Sequence, residues 1–154
     1  MQLSEFLDFD AIKPSLSGGN KRALLQQMAQ FAAGRLQADA AEILSSISER
    51  ERLGSTGFGQ GVAIPHGKID GLTRIYCMFA RLSEPVDYKA IDGRPVDLVI
   101  LLLSPPDAGA EHLKALAAVS RVTRDAATLE RLRGARTRDA LAAVLMGADE
   151  RDAA

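Results

Sequence analysis

The chain has 154 residues, 47% of them hydrophobic, which suits one compact domain over residues 1–154. Nineteen Lys+Arg against 20 Asp+Glu leave a formal charge of -1, which excludes a global field that would draw nucleic acid or an anionic membrane. A single cysteine, Cys77, excludes an intramolecular disulfide and, with only two histidines, leaves too few ligands for a structural zinc site of the usual kind; it fits a reducing compartment.

The N-terminal stretch MQLSEFLDFDAIKP carries acidic residues and no basic start to an apolar run, so it does not read as a signal peptide. After the turn Ser17-Gly18-Gly19, Asn20 is set to cap a helix whose apolar stripe is Leu24, Leu25, Met28, Phe31, Ala32 and Leu36. Asp39 opens a second helix, with Glu42 as a capping-box partner and Ile43, Leu44 and Ile47 as its stripe, ending near residues 50–53. From Gly54 to Gly71 the chain holds six glycines and one proline around Val62-Ala63-Ile64, a pattern of loop, short strand and loop.

Two strands follow, Ile75 to Leu82 and Val96 to Leu103, the second apolar almost throughout and expected to be buried on both faces. No apolar run, Leu98 to Leu103 among them, approaches the roughly 20 residues that cross a membrane, so a soluble, cytoplasmic protein without membrane insertion is expected. Pro105-Pro106 stops the strand, and a helix begins near Asp107 with Leu113, Leu116, Ala117, Ser120 and Arg124 on successive turns. Helices are predicted over Ala126 to Leu132 and Asp139 to Met146, the last capped by Thr137 and stopped by Gly147, with a frayed tail from about 148. Helices at both ends, strands between them and no repeat predict an α/β fold, a mixed β-sheet sandwiched by helices.

One of the two histidines lies in Ile64-Pro65-His66-Gly67. Pro65 fixes its own φ and restricts Ile64, while Gly67 allows close approach, so the imidazole of His66 sits on a stiff turn suited to a reacting group. The tripeptide alone does not separate such a group from an ordinary surface histidine. The longer run does: Glu51, six residues, Phe58-Gly59, two residues, then Val62-Ala63-Ile64-Pro65-His66-Gly67.

This run resembles the phosphorylation-site signature of the mannitol/fructose class of phosphotransferase IIA domains. Leu53-Gly54-Ser55-Thr56-Gly57-Phe58-Gly59 and Gly67-Lys68 are most similar to its nitrogen-type branch, and the likeness continues through Ala90 to Leu98 and His112-Leu113. The resemblance implies a phosphohistidine carrier: His66 accepts a phosphoryl group on Nε2, its other ring nitrogen held by backbone, a choice of nitrogen the sequence itself does not make. It implies His112 as a second active-site histidine and adds weight to Arg50 as a phosphate-stabilising cation. It also implies a histidine phosphocarrier of the nitrogen branch as donor, and ion-transport regulators or sensor kinases as targets. Sugar-specific members usually carry Glu where this chain has Gln60, which favours regulation over sugar uptake. The alternatives are a fructose or mannitol IIA component, and a phosphorylation-sensing protein-binding module without onward transfer.

The rest of the phosphate environment is expected from Gln60, Gly59, Gly61, Pro65, Gly67 and the glycine-rich backbone of residues 57–61. Phe58, Ile64 and Ile69 are expected to form a docking surface. Gly57-Phe58-Gly59-Gln60-Gly61 leads into an extended segment instead of a helix and lacks a Gly-Lys-Ser/Thr ending, so no nucleotide cofactor is expected and the phosphoryl group must come from another protein. No pair of His or Cys has helical metal-ligand spacing, and no metal is expected. Arg121 to Arg138 holds six arginines against Asp125 and Glu130 but no aromatic residue, a solvated helix surface sooner than a nucleic-acid face.

Overall fold

The computed structural model describes residues 1–153. A 3-10 turn at Leu3–Glu5 leads into β1 (Leu7–Leu16), then α1 (Lys21–Leu36) and α2 (Ala40–Arg52). Three short strands follow, β2 (Gly57–Gly59), β3 (Val62–Ala63) and β4 (His66–Lys68), before the long β5 (Tyr76–Val86) and β6 (Val96–Ser104). Three helices, α3 (Ala110–Thr123), α4 (Ala126–Gly134) and α5 (Arg138–Ala153), complete the order. The strands form one mixed sheet ordered β1-β5-β6-β3-β2, with β4 also on β6.

As the sequence predicts, β6 is the apolar centre of the sheet. It runs antiparallel to β5 and parallel to β3 and β4. Its side chains alternate between two cores: Val99, Leu101 and Leu103 join Leu24, Met28, Ile43 and Ile47 of α1 and α2, while Leu98, Ile100 and Leu102 join Val119, Val122, Leu132 and Leu141 of α3, α4 and α5. A strand covered on both faces has no polar side to present, hence the unbroken apolar run.

The predicted first element is a helix, but the chain enters on β1, an edge strand parallel to β5. Register shifts between Leu7 and Ile12 and between Lys13 and Leu16 break the period-two alternation, and Pro14, which lacks a ladder N–H, is tolerated at an edge. Asp8 secures this strand, accepting from Arg35 of α1 at 2.9 Å and from the Tyr76 hydroxyl at 2.8 Å. Burial opposes ionisation of Asp8, yet those donors hold its carboxyl below the usual range.

Asn20 and Asp39 cap α1 and α2 as expected. Glu42 does not complete a capping box, because its carboxylate accepts from the Asp70 N–H at 3.2 Å. Phe31 leaves the predicted stripe for the outer flank of α1, under the Lys13 ammonium at 4.3 Å, and Ala29 and Ala33 are buried in the core. In α3 the buried face is Ala115, Ala118, Val119 and Val122, so Leu113, predicted on the stripe, is 67% exposed.

Thr137 caps α5 by accepting from Ala140, but the helix passes Gly147 and reaches Ala153, so the tail expected to fray from about 148 is helical; Ala154 lies outside the described residues. A helical glycine costs only about 1 kcal/mol, and Asp149 offsets it by accepting from the backbone N–H groups of Leu3 at 2.8 Å and Ser4 at 3.1 Å. Asp149→Ala strips both donors of their acceptor and is expected to lower unfolding free energy by about 2 kcal/mol, read from a urea denaturation midpoint.

Candidate functional site

The loop, short strand and loop predicted around Val62 is a hairpin followed by a third strand. Gln60 and Gly61, at φ 59° and 78°, turn the chain between β2 and β3. Pro65 then interrupts the edge, after which β4 resumes beside β6, with His66 opposite Leu102. The Pro65 carbonyl accepts from the Leu102 N–H at 3.0 Å, and the Ile64 N–H donates to the Thr56 carbonyl at 3.0 Å. Two backbone anchors just ahead of His66 thus fix its approach, one to the central strand β6 and one to Thr56 before β2. Gly67 is required for a different reason: a Cβ there would run into Ser46 Oγ and lie 3.2 Å from the Ser46 backbone, where α2 crosses β4.

The His66 side chain is buried at 7% exposure, and its Nδ1 lies 2.7 Å from the Ile64 carbonyl oxygen. A carbonyl can only accept, so Nδ1 carries the proton and Nε2 keeps its lone pair. Burial, together with the charge of Arg50, lowers the His66 pKa against the opposing pull of Ile64 and Glu51. The result is a neutral imidazole with a fixed tautomer.

His112, in the first turn of α3, faces it: the ring centroids are 5.6 Å apart at 48°. Its Nδ1 is 2.5 Å from the hydroxyl of Ser104, the last residue of β6. Ser104 can donate there, which would leave a proton on His112 Nε2 for a neighbouring anion. Burial, with His66 and Lys68 nearby, lowers the His112 pKa as well.

Of the other expected site residues, Arg50 is close enough for its charge to act on His66, and it donates from Nη1 to the Gly54 carbonyl at 2.8 Å. The glycine-rich hairpin is less available than the sequence suggests. The Gly57 N–H donates to Ser55 Oγ, the Gln60 N–H to Asp92, and the Gln60 carbonyl accepts from Arg133. A Cβ on Gly61 would meet Arg133 and Asp97. Among the described residues no hydrogen bond joins Gln60, Gly59 or Gly61 to His66. Ile64 and Ile69 are each 2% exposed and cannot form a docking surface; of that trio only Phe58 is open, at 49%.

The sequence does not reveal the parts that Ser104, Thr56 and Tyr88 play around the site. Ser104 precedes Pro105-Pro106 and reads there as strand end only. Glu51 opens the motif, but its carboxylate is a hub: it accepts from the Thr56 N–H and hydroxyl, from the Tyr88 hydroxyl at 2.9 Å, and pairs with Lys21 at 2.9 Å. Burial opposes its ionisation, and the hydrogen bonds from Thr56 and Lys21 overcome that and lower its pKa. Nothing in the spacing couples Tyr88 to Glu51, because they meet only through the fold. Three of the six arginines between Arg121 and Arg138 are tied down as well, Arg133 on Asp97, Arg138 on Asp10 and Arg121 on the Met1 carbonyl.

The lowered pKa values of His66 and His112 fix the sign of a pH dependence. Unfolding releases both imidazoles to the ordinary value near 6.5, so below it the unfolded chain binds more protons than the folded one. Their contribution is intact above that range and stability falls as pH drops through it. The urea midpoint is expected to decline from pH 7.5 to about 5.5, and to decline less in the His66→Gln/His112→Gln double variant.

No helix of the described residues is long and apolar enough to cross a membrane. Residues 5–147 match the family model described as phosphoenolpyruvate-dependent sugar phosphotransferase system, EIIA 2. The chain is 43% identical over 145 residues to the nitrogen regulatory protein of Bradyrhizobium diazoefficiens, covering 94% of this chain and 95% of that protein. Its structure is similar to nitrogen regulatory protein IIA-Ntr from Neisseria meningitidis, with a TM-score of 0.87 at 33% identity, covering 93% and 98% of the two chains. IIA mannitol from Escherichia coli shares the fold, with a TM-score of 0.76 at 18% identity over 90% and 97%. The chain therefore belongs to the EIIA 2 family of the phosphotransferase system, in its nitrogen regulatory branch, and is a IIA component of that system.

Proposed function

We propose that this protein is a cytoplasmic phosphohistidine carrier of the nitrogen phosphotransferase system, with His66 Nε2 as the phosphoryl acceptor. The observation that carries the reading is the Nδ1 contact with the Ile64 carbonyl, which leaves Nε2 as the nucleophile beside His112. The donor is a histidine phosphocarrier protein of the nitrogen branch, itself charged from phosphoenolpyruvate. As the bond from its nitrogen to phosphorus breaks, one forms to Nε2, and positive charge developing on the His66 ring is shared through Nδ1–H with the Ile64 carbonyl. The three phosphoryl oxygens collect negative charge, which Arg50 and the His112 N–H stabilise by position and electrostatics. Added phosphate charge then switches a docking surface read by regulatory targets of the ion-transport or sensor-kinase kind.

Incubation with phosphoenolpyruvate and the general phosphotransferase proteins, followed by intact mass measurement, tests this. One acid-labile phosphoryl group on the wild type, acquired faster from the nitrogen-type than from the sugar-type phosphocarrier, is expected. No gain in mass contradicts the carrier role, and a faster reaction with the sugar-type protein contradicts its assignment to the nitrogen pathway.

A further inference from the structure

A second concave site lies on the opposite helical layer, away from the histidine pair. It is a groove of about 770 Å³ between α1, α2 and the segment after β5, within the roughly 300–1,000 Å³ range of small-molecule sites. Leu25 and Leu44 give it an apolar floor, and Lys21, Arg22, Arg52 and Lys89 line it against a single carboxylate, Asp87. That excess of positive charge stands out in a chain whose formal net charge is -1.

The cations are not equivalent. Lys89 pairs with Asp87 at 2.9 Å, and Lys21 pairs with Glu51 at 2.9 Å while lying over the Tyr88 ring. Among the described residues, no ion pair or hydrogen bond ties the side chains of Arg22 or Arg52. Two exposed guanidinium groups on neighbouring helices line one apolar-floored groove whose single carboxylate, Asp87, is already paired with Lys89, a charge balance that suits an anion. The floor adds a requirement that a bare anion does not meet.

We propose that this groove binds a small organic phosphate with an apolar body, the phosphate held by Arg22 and Arg52 and the body lying on Leu25 and Leu44. Gln26 and Ser48 offer polar contacts along the sides. The residues lining the groove are separate from those that touch His66. Lys21 nonetheless joins the groove to Glu51, whose carboxylate holds Thr56, and the Thr56 carbonyl anchors Ile64 beside the histidine.

The test is calorimetric titration with 1-naphthyl phosphate, with backbone amide shifts mapping the site, and with inorganic phosphate and 1-naphthol as the two halves of the probe. Saturable binding with shifts centred on residues 21–26, 44–52 and 87–89 is expected, each half-probe binding more weakly than the whole. The exposed double variant Arg22→Gln/Arg52→Gln should keep the wild-type urea midpoint and lose at least about tenfold in affinity, as the loss of charge-assisted bonds implies. The proposal is overturned by an absence of saturable binding, by shifts centred on His66, by equal affinity in the double variant, or by a half-probe that binds as tightly as the whole.

Discussion

His66→Ala is expected to accept no phosphoryl group under conditions that charge the wild type completely, while His112→Ala is expected still to accept one, roughly a hundredfold more slowly. The difference follows from what each ring contributes. In the proposed carrier His66 supplies the bond-forming lone pair, for which no neighbouring group substitutes: Nδ1 of His112 is engaged by Ser104, and the Arg50 guanidinium is not a nucleophile. His112 is proposed to stabilise charge on the phosphoryl oxygens, and removing one preorganised donor costs about 10² to 10³ in rate. Single-turnover transfer from the phosphorylated phosphocarrier, followed by mass, reads both. Ser104→Ala should move toward His112→Ala without reaching it, since it releases the second imidazole without removing it. Equal rates for His112→Ala and wild type would confine that ring to a structural role.

Glu51→Ala is expected to be the most destabilising polar substitution, lowering unfolding free energy by about 3 to 5 kcal/mol. The carboxylate is 7% exposed, and its loss leaves the buried Thr56 and Tyr88 hydroxyls with only each other, at 2.9 Å, and removes the counter-charge of Lys21. Glu51→Gln keeps the size and one acceptor, and should cost less than Glu51→Ala. Because Thr56 O accepts from Ile64 N and Ile64 O from His66 Nδ1, the damage is expected to run to the His66 ring. A readout beyond stability separates positioning from support. In Glu51→Gln at temperatures where the fold is intact, the His66 Nδ1–H signal should weaken or broaden, and phosphorylation should slow. Unchanged histidine tautomer and rate in a destabilised variant would reduce Glu51 to a packing role.

Most of the helical layer is legible in the sequence, since Asn20, Asp39 and Thr137 act through bonds two or three residues away. The unbroken run of β6 likewise reports its own burial. What escapes depends on contacts that spacing does not carry. β1 reads as polar and broken because its register slips and its Asp8 is neutralised by Arg35, 27 residues on. α5 runs past Gly147 because Asp149 meets the far N-terminus. Leu113 occupies a helical-looking position yet faces outward, because α3 presents small alanines and valines to the sheet.

The same division holds at the site. His66 stands out by its Pro-His-Gly setting and the longer motif, and the fold places His112 beside it as the family resemblance implies. Physical reasoning from sequence does not reach Ser104, Thr56 or Tyr88, whose partners arrive from other strands and helices. Nor does it reach the commitment of the Gln60 and Gly57 amides to Asp92 and Ser55, which removes them as ready phosphate donors.

The most direct measurement is nitrogen-15 NMR of the phosphorylated protein with labelled histidine. Phosphorus coupled to Nε2 of His66, with Nδ1 still protonated against the Ile64 carbonyl, is the expected result. Phosphorus on Nδ1 of His66, or on His112, would contradict it.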